Sequence, residues 1–169
     1  MSGSLVTLSV LAVLFVLVLP ASIALPADKA TTRPTPREPD PALAPEQVIR
    51  AVLDALKHND EHDDGIRTTF KFASPANQAV TGPVERFIPM VKSPAYRALV
   101  NHKGAKVGKV ERKDDQAAAL VLVIDSNGDG AYFVWHLSRQ KDGPHKDCWM
   151  TDGVAPVQPS ADDDDFQKA

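Results

Sequence analysis

A single cysteine, Cys148, stands among the 169 residues. It excludes an intramolecular disulfide and cannot build a thiolate metal site by itself. A basic surplus is missing as well: 19 Lys and Arg face 22 Asp and Glu, for a formal net charge of -3. No charge field is available to steer nucleic acid onto the chain, and no nucleic-acid partner is expected. Aromatic residues are scarce at 6%. No Lys or Arg precedes the one long apolar run, Leu5 to Leu19.

What is present divides into segments. Residues 1–25 hold 18 apolar residues and no charged side chain. Pro20 ends the run, and Ser22 and Ala24 follow at the spacing of a signal cleavage site, so the segment resembles a secretory signal peptide. An uncleaved transmembrane anchor is the alternative, because about 20 apolar residues span a bilayer. The expected location is therefore exported or secreted after cleavage, or membrane-anchored through residues 5–25, with membrane contact through that segment only. Residues 26–44 contain five prolines and read as an extended linker. Residues 157–169 carry Asp162 to Asp165 in a row and read as a disordered acidic tail. Between linker and tail, residues 45–156 balance 15 Lys and Arg with 15 Asp and Glu.

That neutral stretch begins with helical periodicity. Pro45 suits a first helical position, and Val48, Ile49, Val52, Leu53 and Leu56 form one apolar stripe opposite Glu46, Arg50 and Asp54. A second helix is expected over Ile66 to Ala73, stopped by Ser74-Pro75, and a third from Pro83 to Val91, strained or kinked by Pro89. After Ala105 the period changes to that of strands. Val107–Glu111, Ala117–Ile124, Ala131–Ser138 and Cys148–Val154 are separated by turn residues too few for anything but antiparallel neighbours. The expected fold class is α+β, with N-terminal helices packed on a curved four-stranded antiparallel sheet. Alternation places Phe133, Trp135 and Leu137 towards the helices and Tyr132, Val134, His136 and Ser138 away from them. The Ala117–Ile124 strand is apolar on both faces, so its second face needs cover from another segment or from a second copy, the latter a homodimer through the sheet.

Two motifs suggest metals and are better read as turns. His58-Asn59-Asp60-Glu61-His62 fits the H-x-x-E-H zinc pattern, but it lies in a wholly polar run at a helix end. Asp125 to Gly130 fits the first half of a calcium loop, yet the twelfth position is His136 rather than Glu, and strands flank it. An Asn-Gly or Asp-Gly step between alternating apolar runs is a hairpin signal. No metal ligands and no cofactor are expected. Cys148, in a presumed core strand beside Trp149, is a poor nucleophile candidate.

The blocks Phe72-Ala73-Ser74-Pro75-Ala76-Asn77, Thr81-Gly82-Pro83, Glu85-Arg86-Phe87 and Trp149-Met150-Thr151-Asp152-Gly153-Val154 resemble domain-of-unknown-function family 4864, an uncharacterised family of bacteria and plants. Such domains are similar to the nuclear-transport-factor-2-like superfamily. That resemblance implies a cone-shaped sheet wrapped around a helix over residues 45–156, enclosing a pocket, and it brings no catalytic residues. Phe70, Phe87, Trp135 and Trp149 are the aromatic residues expected to face such a pocket. Tyr96, His102, His136 and Asp152 are its polar candidates. The ligand-binding set is taken as Tyr96, His102, Trp135, Phe87 and Asp152, with no catalytic residue assigned. The expected function is non-catalytic binding of a small apolar ligand. A pocket enzyme of isomerase or dehydratase type and a dimeric interaction or scaffold module are the alternatives.

Overall fold

In the computed structural model the described residues are Thr35 and 38–157. The expected signal or anchor over residues 1–25, most of the expected linker and nearly all of the expected acidic tail lie outside them. Among the described residues no helix is long and apolar enough to cross a membrane.

The described residues run through four helices and then five strands: α1 Pro45–Lys57, α2 Asp64–Lys71, α3 Pro75–Thr81, α4 Val84–Val91, a 3-10 turn at Arg97–Leu99, and β1 Gly104–Val107, β2 Glu111–Lys113, β3 Gln116–Ile124, β4 Gly130–Arg139 and β5 Trp149–Pro156. α1 forms where its stripe predicts. Pro45 occupies its first position, and the Gln47 side chain accepts the Ala44 N–H at 2.8 Å. Val48, Ile49, Val52, Leu53 and Leu56 are all buried. On the outer face Arg50 pairs with Glu46 at 2.7 Å, and the Asp54 carboxylate lies 3.4 Å from His58.

α3 is a correction to the sequence reading. Ser74-Pro75 stops one helix, as expected, but it also starts another. The Ser74 hydroxyl accepts the Asn77 N–H at 3.2 Å as N-cap, and Pro75 takes the first position. Four helices stand where three were expected.

The sheet is antiparallel throughout, in the order β1-β3-β4-β5, with β2 also on β3. Five strands replace the expected four because the segment read as Val107–Glu111 is broken. Val107 pairs with Val121 and Glu111 with Ala118, so one extra residue is inserted between two pieces lying along the same neighbour. Gly108 sits at the break, where an added Cβ would lie 2.9 Å from the Leu120 carbonyl oxygen.

Alternation along β3 and β4 holds. Ala117, Ala119, Val121, Val123, Phe133, Trp135 and Leu137 are buried in one cluster with the α1 stripe. Leu120 and Tyr132 point the other way, each 48% exposed.

The polar run between α1 and α2 is folded tightly. Asn59 donates to Asp63 at 3.1 Å and accepts the Ile66 N–H at 3.1 Å, while Lys92 from α4 donates to Asp63 at 2.7 Å. These bonds hold the Asp63 carboxyl below its ordinary range, Lys92 contributing most. α2 then approaches α1 so closely that a Cβ on Gly65 would fall 2.1 Å from the Ala55 carbonyl oxygen, a backbone atom that cannot swing away. Gly65→Ala is therefore expected to destabilise the domain by about 1–3 kcal/mol, the usual cost of overpacking. Urea unfolding measures this, and an unchanged midpoint would show that the two helices separate freely.

Candidate functional site

The helices and the β4–β5 pair leave a cavity of about 290 Å³ between them. Three of the five expected site residues, Phe87, Tyr96 and Trp135, line it. Amphipathic α4 turns Phe87 and Met90 inward, and Phe70 braces Phe87 from behind with ring centroids 5.1 Å apart. α1 contributes Val52, and α3 contributes Asn77, Val80 and Thr81. Val80 is 82% exposed and lies at the rim.

The sheet side of the cavity was only partly legible in the sequence. Strict alternation would send Thr151 and Val154 of β5 to opposite faces. The register shifts instead: His136 pairs with Gly153 and Leu137 with Thr151, leaving Asp152 as an extra residue. The bulge places both Thr151 and Val154 on the cavity, and an Asp-Gly step inside a strand was the signal available for it. Asp152 itself is exposed, and its carboxylate accepts the Ser138 hydroxyl at 2.9 Å.

His102 is also placed elsewhere. It is 4% exposed, with Nδ1 2.9 Å from the Leu99 carbonyl oxygen, beyond the cavity lining. His136 is exposed on the outer sheet face, and Trp149 lies beneath the Arg112 guanidinium at 5.6 Å. The buried Cys148 thiol is pushed up by desolvation, with Asp40 and Asp147 adding to it, which favours its protonated form.

The motif residues are spent on local structure. α1 ends at Lys57, so His58 and His62 do not share a helix, and both are exposed. Asp125 accepts the backbone N–H groups of Asn127, Gly128 and Asp129 at 2.8, 2.9 and 3.0 Å, closing the β3–β4 hairpin. A second cleft of about 150 Å³, between α1 and α2, includes Asp54, His58 and Asp60. There the Asp60 carboxylate is engaged by the N–H groups of His62 and Asp64 at 3.1 and 3.0 Å.

The polar side chains around the larger cavity, the partly buried Tyr96 aside, fall into two groups. Thr69 donates to Gly65, Thr81 to Asn77, and Asn77 through Nδ2 to Thr151, all to backbone carbonyls at 2.9–3.1 Å. Trp135 Nε1 and Thr151 Oγ1 are buried and have no hydrogen-bond partner among the described residues. Among the described residues the lining includes no Asp, Glu, His, Lys, Arg or Cys.

One family profile, described as Domain of unknown function (DUF4864), matches residues 40–163. No curated protein and no solved structure matches the chain.

Burial holds the His102 imidazole below its ordinary value, outweighing its bond to Leu99, with Lys57 and His58 adding to the depression and Asp54 opposing it. The unfolded chain then binds a proton that the folded chain refuses. Stability is expected to be full above about pH 6.5 and to fall as the pH drops below it, levelling off under the folded value. Asp60, Asp63 and Asp125, all held low, act in a separate window below pH 3.8. Denaturant titrations from pH 7 to 5 test this; in His102→Gln the decline over that range should flatten.

Proposed function

The chain belongs to the DUF4864 family, a domain of unknown function, and on that footing we propose that it binds a small, uncharged, largely apolar molecule without transforming it. The observation that carries this reading is the make-up of the cavity wall. Val52, Phe87, Met90 and Val154 give it an apolar body, and the few polar groups are fixed in number and position. Its volume of about 290 Å³ lies at the small end of the ~300–1,000 Å³ of ligand sites, which suits a ligand of one or two rings. General acid–base catalysis needs a side chain that exchanges protons near neutral pH, placed against the substrate. Tyr96 is the only ionisable side chain in the lining among the described residues, with no base in the wall beside it. The pocket-enzyme alternative lacks its acid–base pair.

The helices-then-strands order and a cavity between helices and antiparallel sheet also support a nuclear-transport-factor-2-like cone. The apolar segment over residues 1–25 supports export or membrane tethering of the domain.

A second reading, pairing of two copies through the outer sheet face, is favoured by Leu120 and Tyr132. They lie on adjacent strands, each 48% exposed, beside Leu122 and Val134. Sedimentation of residues 40–157 and of the same domain carrying Leu120→Glu tests it: a concentration-dependent dimer lost in the variant is expected, and a monomer at millimolar concentration removes the reading.

Acetophenone and α-methylstyrene serve as uncharged, ring-sized probes of the cavity. Saturable binding of at least one is expected by calorimetry and by amide shifts at Phe87, Met90 and Trp135. Val154→Phe, which fills the cavity from β5, should weaken it roughly tenfold or more. Absence of binding by both probes, with the protein folded, would remove the binding reading.

A further inference from the structure

Among the polar side chains of the cavity wall, Trp135 and Thr151 are the two whose buried polar atoms have no partner among the described residues. Trp135 is 1% exposed and Thr151 6%, and both line the cavity. An indole nitrogen is a donor and nothing else, and when buried it normally finds an acceptor. Here Trp135 Nε1 has none.

Thr151 sharpens the contrast. Its backbone is fully engaged: its N–H donates to Phe72 at 2.8 Å, and its carbonyl accepts Ser74 N–H at 2.8 Å and Asn77 Nδ2 at 3.1 Å. Its hydroxyl, on the same residue, is left without a partner. The neighbouring hydroxyls of Thr69 and Thr81, by contrast, bond back to their own helices.

The two orphan groups are also close in register. Trp135 pairs with Val154 and Leu137 with Thr151, which puts the indole and the hydroxyl on one face of adjacent strands, a diagonal step apart. Leaving a buried donor unmade is costly; both atoms are closed to a water molecule in the ligand-free protein, so an entering acceptor must press the wall apart to reach them, and reaching them recovers that cost. With no charged side chain in the lining, a charged partner would be left unpaired.

We infer that the ligand of this cavity is an uncharged molecule with an apolar ring or chain and a carbonyl-type acceptor, which takes the Trp135 Nε1–H and lies within reach of the Thr151 hydroxyl. Ketones, esters, amides and quinones share this chemistry. The inference rests on the cavity being a binding site, and the test separates the two.

Acetophenone and α-methylstyrene have the same shape and differ in a C=O against a C=CH2. The whole protein is expected to bind acetophenone about tenfold or more tightly, the ratio that one buried unmade hydrogen bond produces. The chain has two tryptophans and so two indole N–H signals. The Trp135 signal should move with acetophenone far more than with α-methylstyrene. Thr151→Val and Trp135→Phe should each shrink the preference while α-methylstyrene still binds. Thr151→Val should leave the ligand-free protein as stable as before or more so, because it removes a buried polar atom that has no partner. Equal affinities for the two probes overturn the inference and leave cavity binding standing; binding of neither overturns both. A preference that survives in both variants, or a Thr151→Val variant that loses stability, overturns the assignment to these two atoms.

Discussion

Three hydrogen bonds converge on one residue of the last strand. Phe72, Ser74 and Asn77 all hold the backbone of Thr151, and Ala73 forms a parallel bridge to it. β5 lies at the end of the sheet order, so the outward N–H and C=O of Thr151 would otherwise be left open. These bonds close that edge, and they fix where α2 ends and where α3 begins. They tie the helical half of the chain to the sheet across almost eighty residues of sequence. The cavity lies beside this fastening, with Ala73, Asn77 and Thr151 in its wall.

The block Phe72-Ala73-Ser74-Pro75-Ala76-Asn77, which carries the family resemblance, gains a physical meaning from this. Phe72 is wholly buried, Ser74 caps α3, and Asn77 turns its amide back to β5. Each residue type does something its neighbours could not: Ser accepts the Asn77 N–H as a cap, Pro begins a helix without needing a donor, and Asn reaches a backbone carbonyl while facing the cavity. The same construction explains why the cavity wall is apolar without being collapsed. Its outlines are set by backbone bonds at Thr151 and by the β5 bulge at Asp152, rather than by side chains free to close in.

Much of the fold was legible because burial on one face imposes a period. The α1 stripe and the inward set Phe133, Trp135 and Leu137 stand where periodicity puts them, since a slip of one residue would turn each strand's apolar set to water. Reading was poorer where one signal serves two purposes. Ser-Pro both stops a helix and starts one, so α3 went unread. An extra residue between Val107 and Glu111 left alternation unaltered to the eye while breaking the strand in two. Of the expected set, Phe87 and Trp135 line the cavity from inward faces of α4 and β4, where periodicity puts aromatic residues, while Tyr96, a polar candidate with no periodic signal, lines it from the turn after α4. His102 and Asp152 are polar residues satisfied locally, by Leu99 and by Ser138, and residue type alone does not distinguish those uses.

By itself the sequence determined the α+β class, the helical and strand faces, the neutral stretch between an apolar N-terminal segment and an acidic C-terminal one, and the family. Those follow from composition and from periods of two and 3.6 residues, which are local properties of a chain. Tertiary structure alone decided that Thr151 and Val154 share a wall, that Asn77 reaches β5, and that the Trp135 indole N–H and the Thr151 hydroxyl, in two residues of that wall, are buried without a partner among the described residues. A hydrogen bond left unmade is a property of what surrounds an atom, and the surroundings of Trp135 come from segments far apart in the chain.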